Sequence, residues 1–228
     1  MVNDMDWKSI FGLPSLPKPS YIKAYEQTLL KKTSKAKPIR ELDFLVLDTE
    51  TTGLDVRKDY VLSYGSVLVS NNRMKISESK EYYMRPKKRS KEAVKVHGLI
   101  QVRPYVSREQ LIRSFLEDAS NKILVGHHLG FDLAMLEKLG KTLGLRKIKQ
   151  PSLDTYELAV RLENGKYHDP HTIAAQDYSL DKLCERYKIA LDDRHTAAGD
   201  ALLTSQLLLK LLKVAERKGI KTFGDLMA

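Results

Sequence analysis

Hydrophobic and polar positions divide the chain into elements of two periods. Residues 44–47, Phe-Leu-Val-Leu, form a continuous apolar run, the pattern of a strand buried on both faces rather than one with a solvated side. The run ends at Asp48. Residues 60–69 and 76–84 are further β-rich stretches, and Asn71-Asn72-Arg73 between them predicts a hairpin turn, hence neighbouring antiparallel strands. The period then changes. Ser107 with Gln110 three residues on predicts a capping box for a helix through Ala119. Ile123-Leu124-Val125 follows as a strand, and Leu133, Leu136, Leu139 and Leu143 have helical spacing within 131–143. Residues 154–162, 179–187 and about 196–218 predict three more helices, with Gly219 as the stop of the last. The order β-β-β-α-β-α-α-α predicts an α/β fold, a mixed sheet flanked by helices, without internal repeats.

Residues 1–40 differ from the remainder, 41–228, which is expected to form one domain. Pro14, Pro17 and Pro19 precede a short helix from Tyr21 to about Lys32, and Lys31, Lys32, Lys35 and Lys37 make a basic linker. Two descriptions fit this segment: a solvated extension packed loosely on the main body, or an arm that touches a phosphate backbone or a partner.

Across 228 residues, 39 Lys+Arg against 29 Asp+Glu leave a formal charge of +10, which points to a polyanionic partner. With 42% hydrophobic and 30% charged residues, extensive disorder is excluded. Cys184 is the only cysteine, so neither an internal disulfide nor a cysteine-based zinc site is available, and a reducing cytoplasm is the expected location. The opening residues carry Asp4 and Asp6, and residues 207–214 are interrupted by Lys210 and Lys213, so neither export nor membrane spanning is expected.

The candidate chemistry lies in acids placed at element ends. Asp48 and Glu50 follow the buried strand, and on an extended chain residues i and i+2 share a face. Two unit charges about 4 Å apart repel by roughly 4 kcal/mol at an effective dielectric near 20, so a cation is expected between them. The competing role for Asp48 is to cap a turn made by Thr49, Thr51, Thr52 and Gly53. Asp132 follows Phe131 at a helix start, where capping is again a rival role. His195 precedes Asp200 by five residues, which on one ideal helix would leave the two side chains roughly 140° apart. They converge only if the histidine stands on the preceding loop and the acid on the helix.

Together, the run Asp48-Thr-Glu-Thr-Thr-Gly, Phe131-Asp132 after His127, and His195-x4-Asp200 resemble the three motifs of the DEDDh (DnaQ-like, RNase T superfamily) 3′-to-5′ exonucleases, the group that includes the proofreading epsilon subunit of DNA polymerase III. Val96-His97-Gly98-Leu99 and Leu153-Asp154-Thr155 resemble two further family segments, and Thr196 sets the chain apart from the family's tyrosine variant. The resemblance implies an RNase H-like fold and two divalent ions, Mg²⁺ or Mn²⁺, held by Asp48, Glu50, Asp132 and Asp200. His195 is implied as the general base, a role suited to a side chain that titrates near neutrality. Thr51 and Leu54 are implied to hold the terminal nucleotide, with His97, His127 and Phe131 lining the same cleft; packing is the alternative for Leu54 and Phe131.

His128 stands where many members of the family carry asparagine, and Asp154 is expected to orient nearby backbone. His168 and His171 flank Pro170 in an expected solvated loop, with metal binding the less favoured role. Residues 85–91 supply five cations in seven positions, suited to tracking a single strand's backbone or, alternatively, to solubility alone. The expected substrate is the 3′ end of single-stranded DNA, released as nucleoside 5′-monophosphates. An RNA exonuclease and a non-catalytic nucleic-acid adaptor are the alternatives. The chain ends at Ala228 without the long tail by which epsilon-type subunits hold a polymerase, so stable replicase membership is not expected.

Overall fold

The apolar run and the hairpin turn place three antiparallel strands at the front of the sheet. The computed structural model describes residues 18–86, 104–167 and 169–228. Strands β1 (Asp43–Thr51), β2 (Val61–Ser70) and β3 (Arg73–Tyr83) form the meander, and Asn71 and Asn72 turn it with positive φ of 51° and 56°, conformations that asparagine tolerates. β4 (Ile123–Gly126) and β5 (Ser152–Asp154) add in parallel, giving the order β3-β2-β1-β4-β5. The short β5 escapes sequence detection because three residues carry no periodicity.

Seven helices surround the sheet among the described residues: α1 (Ser20–Thr28), α2 (Arg108–Ala119), α3 (Leu129–Gly140), α4 (Thr155–Asn164), α5 (Leu180–Arg186), α6 (Ala197–Arg217) and α7 (Phe223–Leu226). The capping box of α2 forms as expected, with the Ser107 hydroxyl accepting from Gln110 N–H and the Gln110 side chain accepting from Ser107 N–H. The central strand divides the core by parity. Phe44 and Val46 pack with Leu203, Leu207, Leu208 and Leu211 of α6, while Leu45 and Leu47 pack with α1, α2 and α3. This two-sided burial explains the unbroken apolar run. No described helix is long and apolar enough to cross a membrane.

The structure corrects the loosely packed description of the N-terminal segment over its described part. Ile22 and Tyr25 of α1 are fully buried against Leu111, Ile112 and Ile148. The Tyr25 hydroxyl donates to the Gln150 side chain and accepts from Lys149 N–H at 3.3 Å. Farther on, the carbonyls of Lys35 and Lys37 accept from Gly224 and Phe223, each at 2.8 Å. The basic linker is therefore tied to the end of the chain.

Candidate active site

β1 continues past Asp48 to Thr51, with a register shift against β2 between Glu50 and Thr51. Asp48 and Glu50 thus share the strand face that α6 covers, in line with Phe44 and Val46. Asp48 lies opposite Gly65 of β2. A Cβ on Gly65 would sit 2.2 Å from the Ala197 carbonyl oxygen, so the absent side chain is what admits the first turn of α6 to the sheet. That turn carries Asp200, only 7% exposed. Asp48, Glu50 and Asp200 each bring a carboxylate oxygen within 4.8 Å of the others.

The approach to α6 is a tight loop. Asp193 and His195 have positive φ of 53° and 67°, and a Cβ on Gly199 would meet the Asp193 carbonyl oxygen at 2.0 Å. His195 is on this loop and Asp200 on the helix, the arrangement that convergence requires. The His195 N–H donates to Asp200 Oδ1 at 3.3 Å, and the imidazole is exposed. Arg194 donates from Nη1 to Asp200 Oδ2 and from Nε to Asp181 Oδ1. Arginine at 194 and aspartate at 181 carry no motif signal, so this pair is absent from the sequence analysis.

Asp132 reaches the end of β1 from the opposite face. It stands in the first turn of α3 and accepts from Thr49 N–H at 2.9 Å and the Thr49 hydroxyl at 2.6 Å. That turn is itself held by Asp154, whose carboxylate accepts from His128 N–H (3.1 Å), Leu129 N–H (2.9 Å) and Tyr156 N–H (2.9 Å). Asp154 therefore orients backbone, as expected, and joins the starts of α3 and α4. His128 has a left-handed φ of 62°, a conformation for which asparagine is better suited than most residues.

The electrostatics call for a cation. Burial, then the charges of Asp132, Asp200 and Glu50, push the Asp48 carboxyl well above its ordinary value, with Arg194 only partly opposing them. Burial likewise pushes Asp132 up to about 7 against the Thr49 hydrogen bonds. Among the described residues no hydrogen bond reaches the Asp48 carboxylate, and Arg194 offsets its charge only in part. Hard divalent cations take oxygen ligands, and these carboxylates fit such an ion.

The other expected residues are placed unequally. Thr51 donates its hydroxyl to the Gly53 carbonyl at 2.8 Å. The following loop is closed by Asp59, which accepts from the Thr52 hydroxyl at 2.8 Å and Asp55 N–H at 2.9 Å. Leu54 at its crest is 85% exposed, which removes the packing role. Phe131 is half-buried and belongs to neither core cluster. His127 is half-buried. Its Nδ1 bonds the Thr155 hydroxyl at 3.0 Å, that hydroxyl donates to the Gly126 carbonyl, and Nε2 is buried. The Nδ1 bond ties the ring to the start of α4. His97, His168 and residues 87–91 lie outside the described residues. Arg85 stacks 5.8 Å from the Tyr105 ring, and His171 joins no acidic cluster among the described residues.

The chain is 30% identical over 197 residues to a DNA polymerase III PolC-type protein of Caldanaerobacter subterraneus subsp. tengcongensis, covering 85% of this chain and 13% of that protein. It is 28% identical over 191 residues to the DNA polymerase III subunit epsilon of Aquifex aeolicus, covering 81% and 89%. The chain thus spans about an eighth of the first relative's length and most of the second's. In fold it is similar to E. coli exonuclease I crystallised with a dT13 oligonucleotide, with a TM-score of 0.59 at 14% identity over 78% of this chain and 43% of that one. Residues 45–208, the span from the central strand through Asp200, match the RNase T exonuclease family model, and the chain belongs to that family.

Proposed function

We propose that this chain is a metal-dependent 3′-to-5′ exonuclease that hydrolyses the terminal phosphodiester of single-stranded DNA and releases nucleoside 5′-monophosphates. The observation that carries this function is the convergence of Asp48, Glu50 and Asp200 within 4.8 Å, with Asp132 brought to the same strand end by Thr49. Asp48, Glu50, Asp132 and Asp200 would hold two divalent ions, Mg²⁺ or Mn²⁺. When bound, such ions supply Lewis-acid chemistry: a more acidic water and stabilisation of charge on the departing 3′ oxygen.

The chain's own residues do the rest. His195, exposed at the rim, takes the proton of the attacking water as its oxygen bonds phosphorus and the bond to the 3′ oxygen breaks. Thr51 and the exposed Leu54 hold the terminal nucleotide, with Phe131 at the cleft wall. His97 is assigned to the same cleft by family resemblance. The +10 formal charge favours a polyanionic strand, and E. coli exonuclease I, of the same fold, has been crystallised with a DNA oligonucleotide.

The test uses one strand labelled at its 3′ end and one labelled at its 5′ end, each incubated with Mg²⁺, Mn²⁺ or chelator. Immediate release of the 3′ label as a mononucleotide, progressive shortening of the 5′-labelled strand, and full protection by chelator are expected. Intact strands in every condition, or release first from the 5′ end, would overturn the proposal.

A further inference from the structure

Both oxygens of Asp200 are already engaged by the loop that precedes α6. Oδ1 accepts from His195 N–H at 3.3 Å, and Oδ2 accepts from Arg194. The arginine is gripped twice, since its Nε also donates to Asp181 in the first turn of α5. The two grips differ in setting: the Asp200 side chain is 10% exposed and that of Asp181 is 49% exposed. One planar guanidinium can serve two carboxylates because its donors point in fixed, separate directions.

This places a protein cation on an acid assigned to the metal. Arg194 also lies between the two residues with positive φ, Asp193 and His195, so its attachment fixes the backbone from which the proposed base projects. An ion that takes Asp200 must draw the carboxylate away from Arg194, while Asp181 keeps the guanidinium in place. Among the described residues the Asp181 carboxylate has one hydrogen-bonding partner, Arg194, and so serves as the post that retains the arginine.

Resting on the exonuclease function proposed above, we infer that Arg194 is a positioning residue that competes with the metal for Asp200. Asp181 relieves that competition by holding the guanidinium, and entry of the ion is thereby coupled to the seating of the His195 loop.

The experiment is a Mn²⁺ titration of the metal-free full chain, read by the electron paramagnetic resonance of the free ion. Arg194→Gln should bind Mn²⁺ about tenfold more tightly than the parent, or about 1.4 kcal/mol. Asp181→Asn should bind it several-fold more weakly, because the guanidinium then rests on Asp200 alone. Combining Asp181→Asn with Arg194→Gln should reproduce the affinity of Arg194→Gln by itself, since Asp181 acts through the arginine. Arg194→Lys, which keeps the charge and loses the fork, should fall between parent and Arg194→Gln, and it keeps the test open should the glutamine variant fail to fold. Unchanged or weaker binding by the Arg194 variants, or an Asp181 effect that persists without the arginine, would overturn the inference alone. A parent chain that takes up no Mn²⁺ would instead overturn the exonuclease assignment beneath it.

Discussion

Gly65→Ala puts one methyl group where the sheet and α6 meet. The new Cβ would lie 2.2 Å from the Ala197 carbonyl oxygen and 2.4 Å from Ala198 N. Carbon atoms of this kind essentially never approach closer than 3.0 Å, so the first turn of α6 must retreat by at least about 0.8 Å. β2 cannot yield instead, because it is paired to β1 on one side and β3 on the other. Overpacking of this sort costs roughly 1–3 kcal/mol. The helix turn that retreats carries Asp200 away from Asp48 and Glu50, and a misplacement near 1 Å at a reacting centre costs on the order of a hundredfold in rate. Urea unfolding gives the first quantity. Turnover of a single-stranded oligonucleotide, measured where circular dichroism shows the variant folded, gives the second. Gly130→Ala is the control: nothing lies within 4 Å of its added carbon, and in α3 it should stabilise by about 0.5–1 kcal/mol. Parental turnover and stability in Gly65→Ala would refute the claim that this glycine sets the acid cluster.

Three other perturbations address separate parts of the site. His195→Ala should slow hydrolysis and flatten the neutral limb of the pH-rate profile, and an unchanged profile would contradict its role as base. Asp154→Ala removes three backbone hydrogen bonds at the starts of α3 and α4 and should destabilise by roughly 1–3 kcal/mol, with unfolding unchanged in urea as the contrary result. Burial, then repulsion from His128, lowers the His127 pKa to about 4 from 6.5. The unfolded chain therefore binds the extra proton first. The stability that neutral His127 contributes is complete above pH 6.5 and is lost as pH falls toward 4, on the order of 3 kcal/mol. His127→Phe should remove that loss, measured as the difference from the parent because Asp48 and Asp132 titrate oppositely in the same window. Identical pH dependence in parent and variant would show that the His127 imidazole is not responsible.

What is local in this chain is legible from its residues. The apolar run of β1, the Asn71-Asn72 turn and the Ser107-Gln110 capping box each state their structure within a few positions, because alternation, left-handed backbone and cap hydrogen bonds are short-range. Asp48 and Glu50 share a face for the same reason. Their meeting with Asp200 is a different matter, since it depends on the missing side chain of Gly65, on another strand. Nothing marks Gly65 among the other glycines. Arg194 is similarly hidden: one cation among 39 Lys+Arg, it gains its place only when α5 brings Asp181 alongside. The burial of α1 depends on Ile22 and Tyr25, whose three-residue spacing gives a weak helical face until α2 supplies a surface. The bond between His127 and Thr155 is hidden in the same way, since it joins residues 28 positions apart.

The shared anionic pocket is open to one direct measurement. At pH 7 the Asp132 carboxyl, raised to about 7, still holds its proton in part, and an ion that takes it as a ligand must expel that proton. Calorimetric titration of the chelator-treated chain with Mg²⁺, repeated in buffers of different ionisation enthalpy, reports both uptake and proton release. Binding whose heat tracks the buffer's ionisation enthalpy, and which disappears in Asp200→Ala, is the expected result. No uptake by the parent, or uptake that survives unchanged in Asp200→Ala, would contradict the assignment of these acids to a metal.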